Sequence, residues 1–201
     1  MSLAELPDYL PDPLRQTARP LAIKRRQMLW QINDPVTTIF FVRSGELDAV
    51  RYTPEGEALV MIRGQAGEFF GESALAVERY LCAAQSRSDA ELYGLPKTAF
   101  LAALQTVPTF AAAFLHTQIK NARRQCSRYE RVRLRRAEDR IVHYLITEGG
   151  LDACVTLNGP LSDWAAELGL QPESLYRALA RLRAEGRIEG EGNTLRIRQR
   201  K

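Results

Sequence analysis

The sequence predicts an α+β chain in two parts: an antiparallel β domain, then a long helix leading into a helix–turn–helix domain with a β wing. Three observations carry that expectation. Short β-rich runs separated by turn residues fill the first half. Residues 109–135 contain neither Gly nor Pro. Residues 161–183, LSDWAAELGLQPESLYRALARLR, read as helix, tight turn, helix. A length of 201 residues suits one medium domain and one small one. A composition 45% hydrophobic and 26% charged supports packed cores rather than disorder.

In the first half, strands are expected near 21–24, 28–32, 38–43, 46–52, 58–63, 80–86 and 91–96. Turn residues punctuate them: Asn33-Asp34-Pro35, Ser44-Gly45, Pro54-Glu55-Gly56 and the stretch 64–67 between two glycines. Many short strands at this spacing indicate an antiparallel sandwich or barrel. Thr38 to Val42, then Arg43-Ser44-Gly45-Glu46-Leu47, reads as strand, tight turn, strand. Tyr52 to Glu57 reads as a second hairpin tip.

The period changes near Lys97. Residues 98–104 form a short helix that stops before Pro108. Along 109–135, Ala112, Leu115, Ile119, Ala122, Cys126 and Tyr129 recur at alternating spacings of three and four. That is a heptad seam, flanked by Lys120, Arg123, Arg124, Arg128 and Arg131. Such a stripe packs either on its own domain or on a second copy of the helix. The heavily charged remaining faces favour the second copy, and the small Ala122 and Cys126 permit close approach. Residues 138–148 form another amphipathic helix with Ile141 and Leu145 inward, ended by Gly149-Gly150.

A strand is expected at Val155-Thr156-Leu157. In the following helix Trp164, Ala165 and Leu168 share a face, with Ser162 at or near its cap. Gly169 falls where a tight turn requires positive φ. Pro172 opens the next helix at a position where no amide bond is lost. Leu175, Leu179 and Leu182 face inward, while Glu173, Ser174, Tyr176, Arg177, Ala180 and Arg181 occupy other faces. Strands at 185–189 and 194–198, around Gly190-Glu191-Gly192-Asn193, complete a wing.

Charge and composition narrow the function. Residues 1–108 carry 11 Lys+Arg against 13 Asp+Glu, whereas residues 109–201 carry 17 against 11. A basic second half suits a polyanionic partner. No stretch of about 18 uncharged apolar residues exists, so no spanning helix and no membrane partner are expected. MSLAELPDYLPDPLRQ has acids and prolines where a signal peptide needs a basic then an apolar run. Three dispersed cysteines, Cys82, Cys126 and Cys154, fit a reducing cytoplasm and offer no zinc spacing. With only His116 and His143 available, most metalloenzyme and Ser/His/Asp chemistries lack their ligands or base. No metal and no enzymatic activity are expected. A cupin-type metalloenzyme remains the alternative from that class, disfavoured because both histidines lie outside the strands.

These residues resemble the superfamily of the cyclic-AMP receptor protein and the fumarate–nitrate reduction regulator, over nearly the whole chain. Gly67-Glu68-Phe69-Phe70-Gly71-Glu72 is similar to the opening of its phosphate-binding cassette, and Gly45 and Gly56 sit where its turn glycines do. Glu173 and Arg177 match its Glu-x-x-x-Arg reading helix. The resemblance implies a β-roll of the cyclic-nucleotide-binding, jelly-roll type over 1–108, a dimerisation helix over 109–136, and a winged helix–turn–helix over 137–201. It implies a homodimeric, cytoplasmic regulator of transcription that binds double-stranded DNA at a palindromic site, with RNA polymerase as a further partner. Gln171, Glu173, Ser174, Tyr176, Arg177, Arg181, Arg196 and Arg198 are then the candidate DNA contacts. Phe70, Gly71, Glu72, Ser73, Tyr80, Leu81 and Cys82 are the candidate effector pocket.

The departures from the family concern the effector. Cyclic-nucleotide binders carry an Arg-Ser pair after the cassette, and here Tyr80 and Leu81 stand at that pair. Arg79 is one position early, and strand alternation is expected to turn it to the other face. Without a guanidinium, a buried phosphate loses a charge-assisted bidentate contact, so cyclic AMP is not the expected effector. Residues 1–30 lack the cysteine cluster of the iron–sulfur branch. The carbon-monoxide-sensing haem branch uses Cys and His in the roll; Cys82 is present but no His lies there, and haem stays open as a cofactor only because other ligands exist, with nothing that requires it. Pro172 replaces a base-reading Arg of the cyclic-AMP branch, leaving Glu173 and Arg177 as the code. A regulator whose pocket is filled by Phe70, Tyr80 and Leu81, and which needs no effector, is the second reading. Cys82 is either a redox sensor or a small core residue, and Cys126 either a dimer cross-link or a packing residue.

Overall fold

The computed structural model describes residues 6–54, 56, 58–157, 159–190 and 193–198. The hairpin-tip residues Glu55 and Glu57 and the wing-turn residues Glu191 and Gly192 lie outside the described residues. The chain divides into two compact units, 1–116 and 117–201.

The first unit opens with a short helix, α1 (Asp12–Arg15), followed by β1 (Arg19–Ile23), β2 (Met28–Trp30), β3 (Thr38–Ser44) and β4 (Glu46–Tyr52). Then come β5 (Ala58–Gln65), β6 (Phe69–Phe70), β7 (Ala83–Ser86), β8 (Ala90–Pro96) and α2 (Lys97–Thr106). They build two antiparallel four-stranded sheets, in the orders β1-β8-β3-β6 and β2-β7-β4-β5. Strand β3 reads as a continuous apolar run because both its faces are buried. Phe40 and Val42 pack into a core shared with Leu47, Ala49 and Ala84 of the second sheet. Ile39 and Phe41 point the opposite way, into a core with Phe100 of α2 and with Phe110 and Phe114. The turn between β3 and β4 requires Gly45: its φ is +87°, and a Cβ there would lie 2.4 Å from the Asp89 carbonyl oxygen.

Two features add to or depart from the sequence reading. The proline-rich start, to which the sequence reading assigned no element, is packed: Leu6, Leu10 and Leu14 are buried against the helical side of the roll. Arg15 secures them by donating to the carbonyls of Leu6, Pro7 and Leu10. The strand expected over 80–86 begins only at Ala83, and Arg79 forms an isolated bridge to Pro35.

Helix α3 (Pro108–Arg133) spans the division between the units. In the second unit it is followed by α4 (Ala137–Glu148), β9 (Cys154–Thr156), α5 (Leu161–Glu167), α6 (Pro172–Ala184), β10 (Ile188–Glu189) and β11 (Thr194–Ile197). The three strands form one antiparallel sheet in the order β10-β11-β9. Ile141, Leu145, Trp164, Leu168, Leu175, Leu179, Leu182 and Leu195 form a single core. Ala178 joins that face of α6, unmarked by the leucine spacing. The observed fold is therefore α+β, with an antiparallel jelly-roll domain, a long helix and a carboxyl-terminal helix–turn–helix.

Arg131 corrects the reading of α3. Placed among the solvated charges flanking the heptad, it is instead 1% exposed. Its Nη2 donates to Glu148 Oε1 at 3.1 Å and Thr147 Oγ1 at 3.2 Å, and the guanidinium lies 4.5 Å from the centre of the Tyr144 ring. An acid, a hydroxyl and an aromatic face on one helix offset the cost of burying that charge.

Candidate functional site

In the roll, β6 is followed by Gly71, whose φ of +88° turns the chain into a short 3-10 turn at Glu72–Ala74. This turn and the loop 77–82 wall a cavity of about 240 Å³. All seven residues expected at the pocket (Phe70, Gly71, Glu72, Ser73, Tyr80, Leu81 and Cys82) line it. Trp30, Arg51 and Met61 line it as well, and the sequence reading did not single them out. The one available signal was alternation: Arg51 has the parity of Leu47 and Ala49, which face the interior.

Tyr80 is structural furniture of this cavity. Its ring stacks on Trp30 at 4.1 Å and its hydroxyl donates to the Thr38 carbonyl at 2.9 Å. Trp30 Nε1 donates to the Cys82 carbonyl, also at 2.9 Å. Arg79 does not line the cavity: its Nη1 donates to the Asn33 carbonyl at 2.6 Å. Strand alternation is not the reason, since Arg79 lies in the loop before β7; the bridge to Pro35 aims it outward.

Burial sets the ionisation of this wall. It pushes the Tyr80 hydroxyl up to about 12 and raises the Cys82 thiol, an effect that the Arg51 charge partly offsets. A raised thiol is a poor nucleophile at neutral pH, which favours the packing role for Cys82. Burial also lifts the Glu72 carboxyl from 4.5 to about 7, against its own backbone amide and with help from Glu68. A carboxyl raised in the fold binds protons more tightly than in the unfolded chain. Its stabilising effect is therefore lost as pH rises from about 4.5 to about 7. Glu72→Gln should remove that slope. Urea unfolding at pH 5 and pH 8 should show the variant gaining roughly 1–3 kcal/mol over the native chain at the higher pH only. Equal differences at both pH values would show that Glu72 titrates normally.

The second site is built on α5, the turn after it, and α6. Gly169, at φ +64°, makes the turn, and Gln171 caps α6 with Pro172 at its first position. Ser162 lies one residue inside α5, behind Pro160 at the cap. Leu175, Ala178, Leu179 and Leu182 are buried, and this leaves Gln171, Glu173, Tyr176, Arg177 and Arg181 exposed, with Ser174 half-buried. Arg177 Nη2 reaches Ser174 Oγ at only 3.5 Å. Arg181 is held by Glu138 at 2.7 Å. In the wing, Arg196 and Arg198 both approach Glu189, at 2.6 and 3.8 Å.

Along α3, all six heptad positions (Ala112, Leu115, Ile119, Ala122, Cys126 and Tyr129) are exposed in the single chain. Leu115, Ile119 and Tyr129 are 59, 51 and 64% exposed, and among the described residues the stripe joins none of the three cores. His116 lies on α3 and His143 on α4, both outside the strands of the roll, and His143 faces Glu130 at 3.2 Å. Among the described residues no group of three or more His, Cys, Asp or Glu side chains is placed to hold a metal. No single helix there is long and apolar enough to cross a membrane.

Residues 20–107 match the family model of the cyclic nucleotide-binding domain, and residues 139–201 that of the Crp-like helix-turn-helix domain. A regulatory protein from Silicibacter pomeroyi DSS-3 is 25% identical, with a TM-score of 0.58 over 98% of this chain and 89% of that one. FixK2 from Bradyrhizobium japonicum has a TM-score of 0.67 at 16% identity, covering 90% of this chain and 93% of its own. The regulator CLP from Xanthomonas campestris has a TM-score of 0.57 at 21% identity, covering 92% and 96%. No curated protein matches by sequence. With a nucleotide-binding-like roll followed by a Crp-like helix–turn–helix in one chain, the protein belongs to the superfamily of DNA-binding transcription regulators that includes the cyclic-AMP receptor protein and the fumarate–nitrate reduction regulator.

Proposed function

We propose that the protein acts as a homodimer that reads a palindromic duplex through α6 of each copy, under the control of an effector other than cyclic AMP. The observation that carries this reading is the division of α6: four apolar side chains hold it in the core while Glu173 and Arg177, one turn apart, stay exposed on the opposite side. Such a pair suits base edges in the major groove, Arg to guanine and Glu to a cytosine amine. The bare heptad stripe of α3 supports pairing of two copies, and a two-fold axis then sets half-sites about one DNA turn apart. The assignment is a sensor over 1–108, a pairing helix over 109–136 and a DNA reader over 137–201.

Arg79 turned outward, with Tyr80 stacked on Trp30 where a phosphate clamp would stand, supports an effector other than cyclic AMP. The open volume of about 240 Å³ supports an effector over a filled, effector-free roll. Selection of bound duplexes from a random pool, followed by titration with and without cyclic AMP, tests both parts. The expected product is one palindromic consensus whose affinity cyclic AMP leaves unchanged. An asymmetric or absent consensus overturns the DNA reading. An affinity raised by micromolar cyclic AMP overturns the effector reading alone.

A further inference from the structure

Arg140, in the first turn of α4, is in the second unit, where one guanidinium gathers four backbone carbonyls. Nε donates to Leu134 at 2.8 Å and Nη2 to Val132 at 3.1 Å. Nη1 donates to Leu168 at 3.1 Å and to Gly169 at 2.7 Å. The acceptors come from two places. Val132 is in the last turn of α3 and Leu134 follows it; Leu168 caps α5 and Gly169 makes the turn into α6. Helix carboxyl ends leave carbonyls without intrahelical donors and carry partial negative charge. A fixed fork of five N–H groups with a permanent positive charge serves two such ends at once, which an ammonium on a flexible stem does not.

The contact is reciprocated. Arg131 leaves α3 to grip Thr147, Glu148 and the Tyr144 ring in the last two turns of α4, while Arg140 leaves the first turn of α4 to grip the end of α3. The end of α3 is thus held at both ends of α4. Only Arg140 also reaches the turn that aims α6. That turn is left-handed, at φ +64°, and close to the guanidinium: a Cβ on Gly169 would lie 3.1 Å from Arg140 Nη1, tighter than ordinary contact, and 3.7 Å from a Val132 methyl, an ordinary one.

We propose that Arg140 is the positioning residue that fixes the reading helix α6 to the carboxyl-terminal end of the pairing helix α3, and so sets the half-site spacing the dimer accepts. The proposal rests on the dimeric DNA-binding reading. A rigid joint makes the separation of two reading helices a property of the protein. A slack joint lets each helix find its half-site independently. One base pair added to or removed from the spacer shifts a half-site by about 3.4 Å and rotates it by about 35°, and only a rigid dimer discriminates against that change.

The test uses the full chain on the selected palindrome, with the spacer native, one base pair shorter and one base pair longer, and on a single half-site. For the wild type the native spacer should bind about ten-fold tighter than either altered one. Arg140→Lys should remain dimeric in sedimentation and match the wild type on the single half-site. On the native palindrome it should bind about ten-fold more weakly, the scale of one lost charge-assisted hydrogen bond, and the three spacers should become nearly equivalent. Gly169→Ala keeps the guanidinium but crowds it, and should flatten the profile in the same way, so an Arg140→Lys chain that fails to fold does not decide the matter. A spacing preference that survives both substitutions, or is already absent from the wild type, overturns the proposal. A wild type that binds no palindrome at all overturns the dimeric reading first, and this proposal with it.

Discussion

Replacing Ile119 with Glu should leave the protein monomeric in sedimentation equilibrium at micromolar concentration and abolish binding to a palindromic duplex. The side chain is half exposed and belongs to neither core of the roll nor to the core of the second unit. The substitution therefore costs little within one chain. In a dimer, Ile119 of one α3 would meet apolar seam positions of the other, and two carboxylates would be stripped of water beside each other. An unpaired buried charge costs about 3–5 kcal/mol, and a two-fold seam incurs that cost twice. The loss is large enough to move a dimer held at nanomolar to micromolar affinity into the monomer range. Circular dichroism and the melting transition should stay close to wild type, because the folded units are untouched. A variant that stays dimeric would place the pairing surface elsewhere and leave the bare stripe of α3 without a partner.

Regular spacing made much of this architecture legible. The heptad of α3, the alternation in the strands and the glycine and proline at 169 and 172 all act through backbone geometry that a sequence displays directly. Even the continuous apolar run of β3 proved informative, because a strand buried on both faces has no reason to alternate. What stayed hidden was interaction of side chains with backbone carbonyls. Arg15 and Arg140 look like ordinary surface charges, yet between them they donate to seven carbonyls. No residue type announces a carbonyl left free at a helix end, so such partners are invisible until the chain is folded. The packing of the proline-rich start was hidden for the same reason: its three leucines reach the core from turns that Arg15 ties together. The seven residues named from the resemblance line one cavity. Trp30 was missed because it comes from a strand some 50 residues earlier, and nothing local in MLW distinguishes an aromatic under a cavity from one in a core.

Arg177→Ala and Arg198→Ala should weaken DNA binding in two different ways. Arg177 is exposed on α6, one turn beyond Glu173, and its marginal 3.5 Å contact with Ser174 leaves the guanidinium fork available for a base edge. Its removal should cost about 1–3 kcal/mol per half-site, paid in both halves of a palindrome, and should relax preference at one G·C pair in each. Arg198 already lies 3.8 Å from Glu189, which also holds Arg196 at 2.6 Å, so the wing carries two guanidinium groups around one carboxylate. That excess charge suits phosphates, which bear no sequence information. Arg198→Ala should therefore weaken every duplex alike and lower the slope of log affinity against log salt by about 1. Binding measured across single-base operator variants at two salt concentrations separates the two effects. Specificity should change with Arg177 at constant slope, and slope should change with Arg198 at constant specificity. An Arg177→Ala protein that ranks the operator variants as the wild type does would show that α6 is held in the core by its leucines but does not read bases. The wing, or the amino-terminal end of α4 beside Arg181, would then have to supply the specificity.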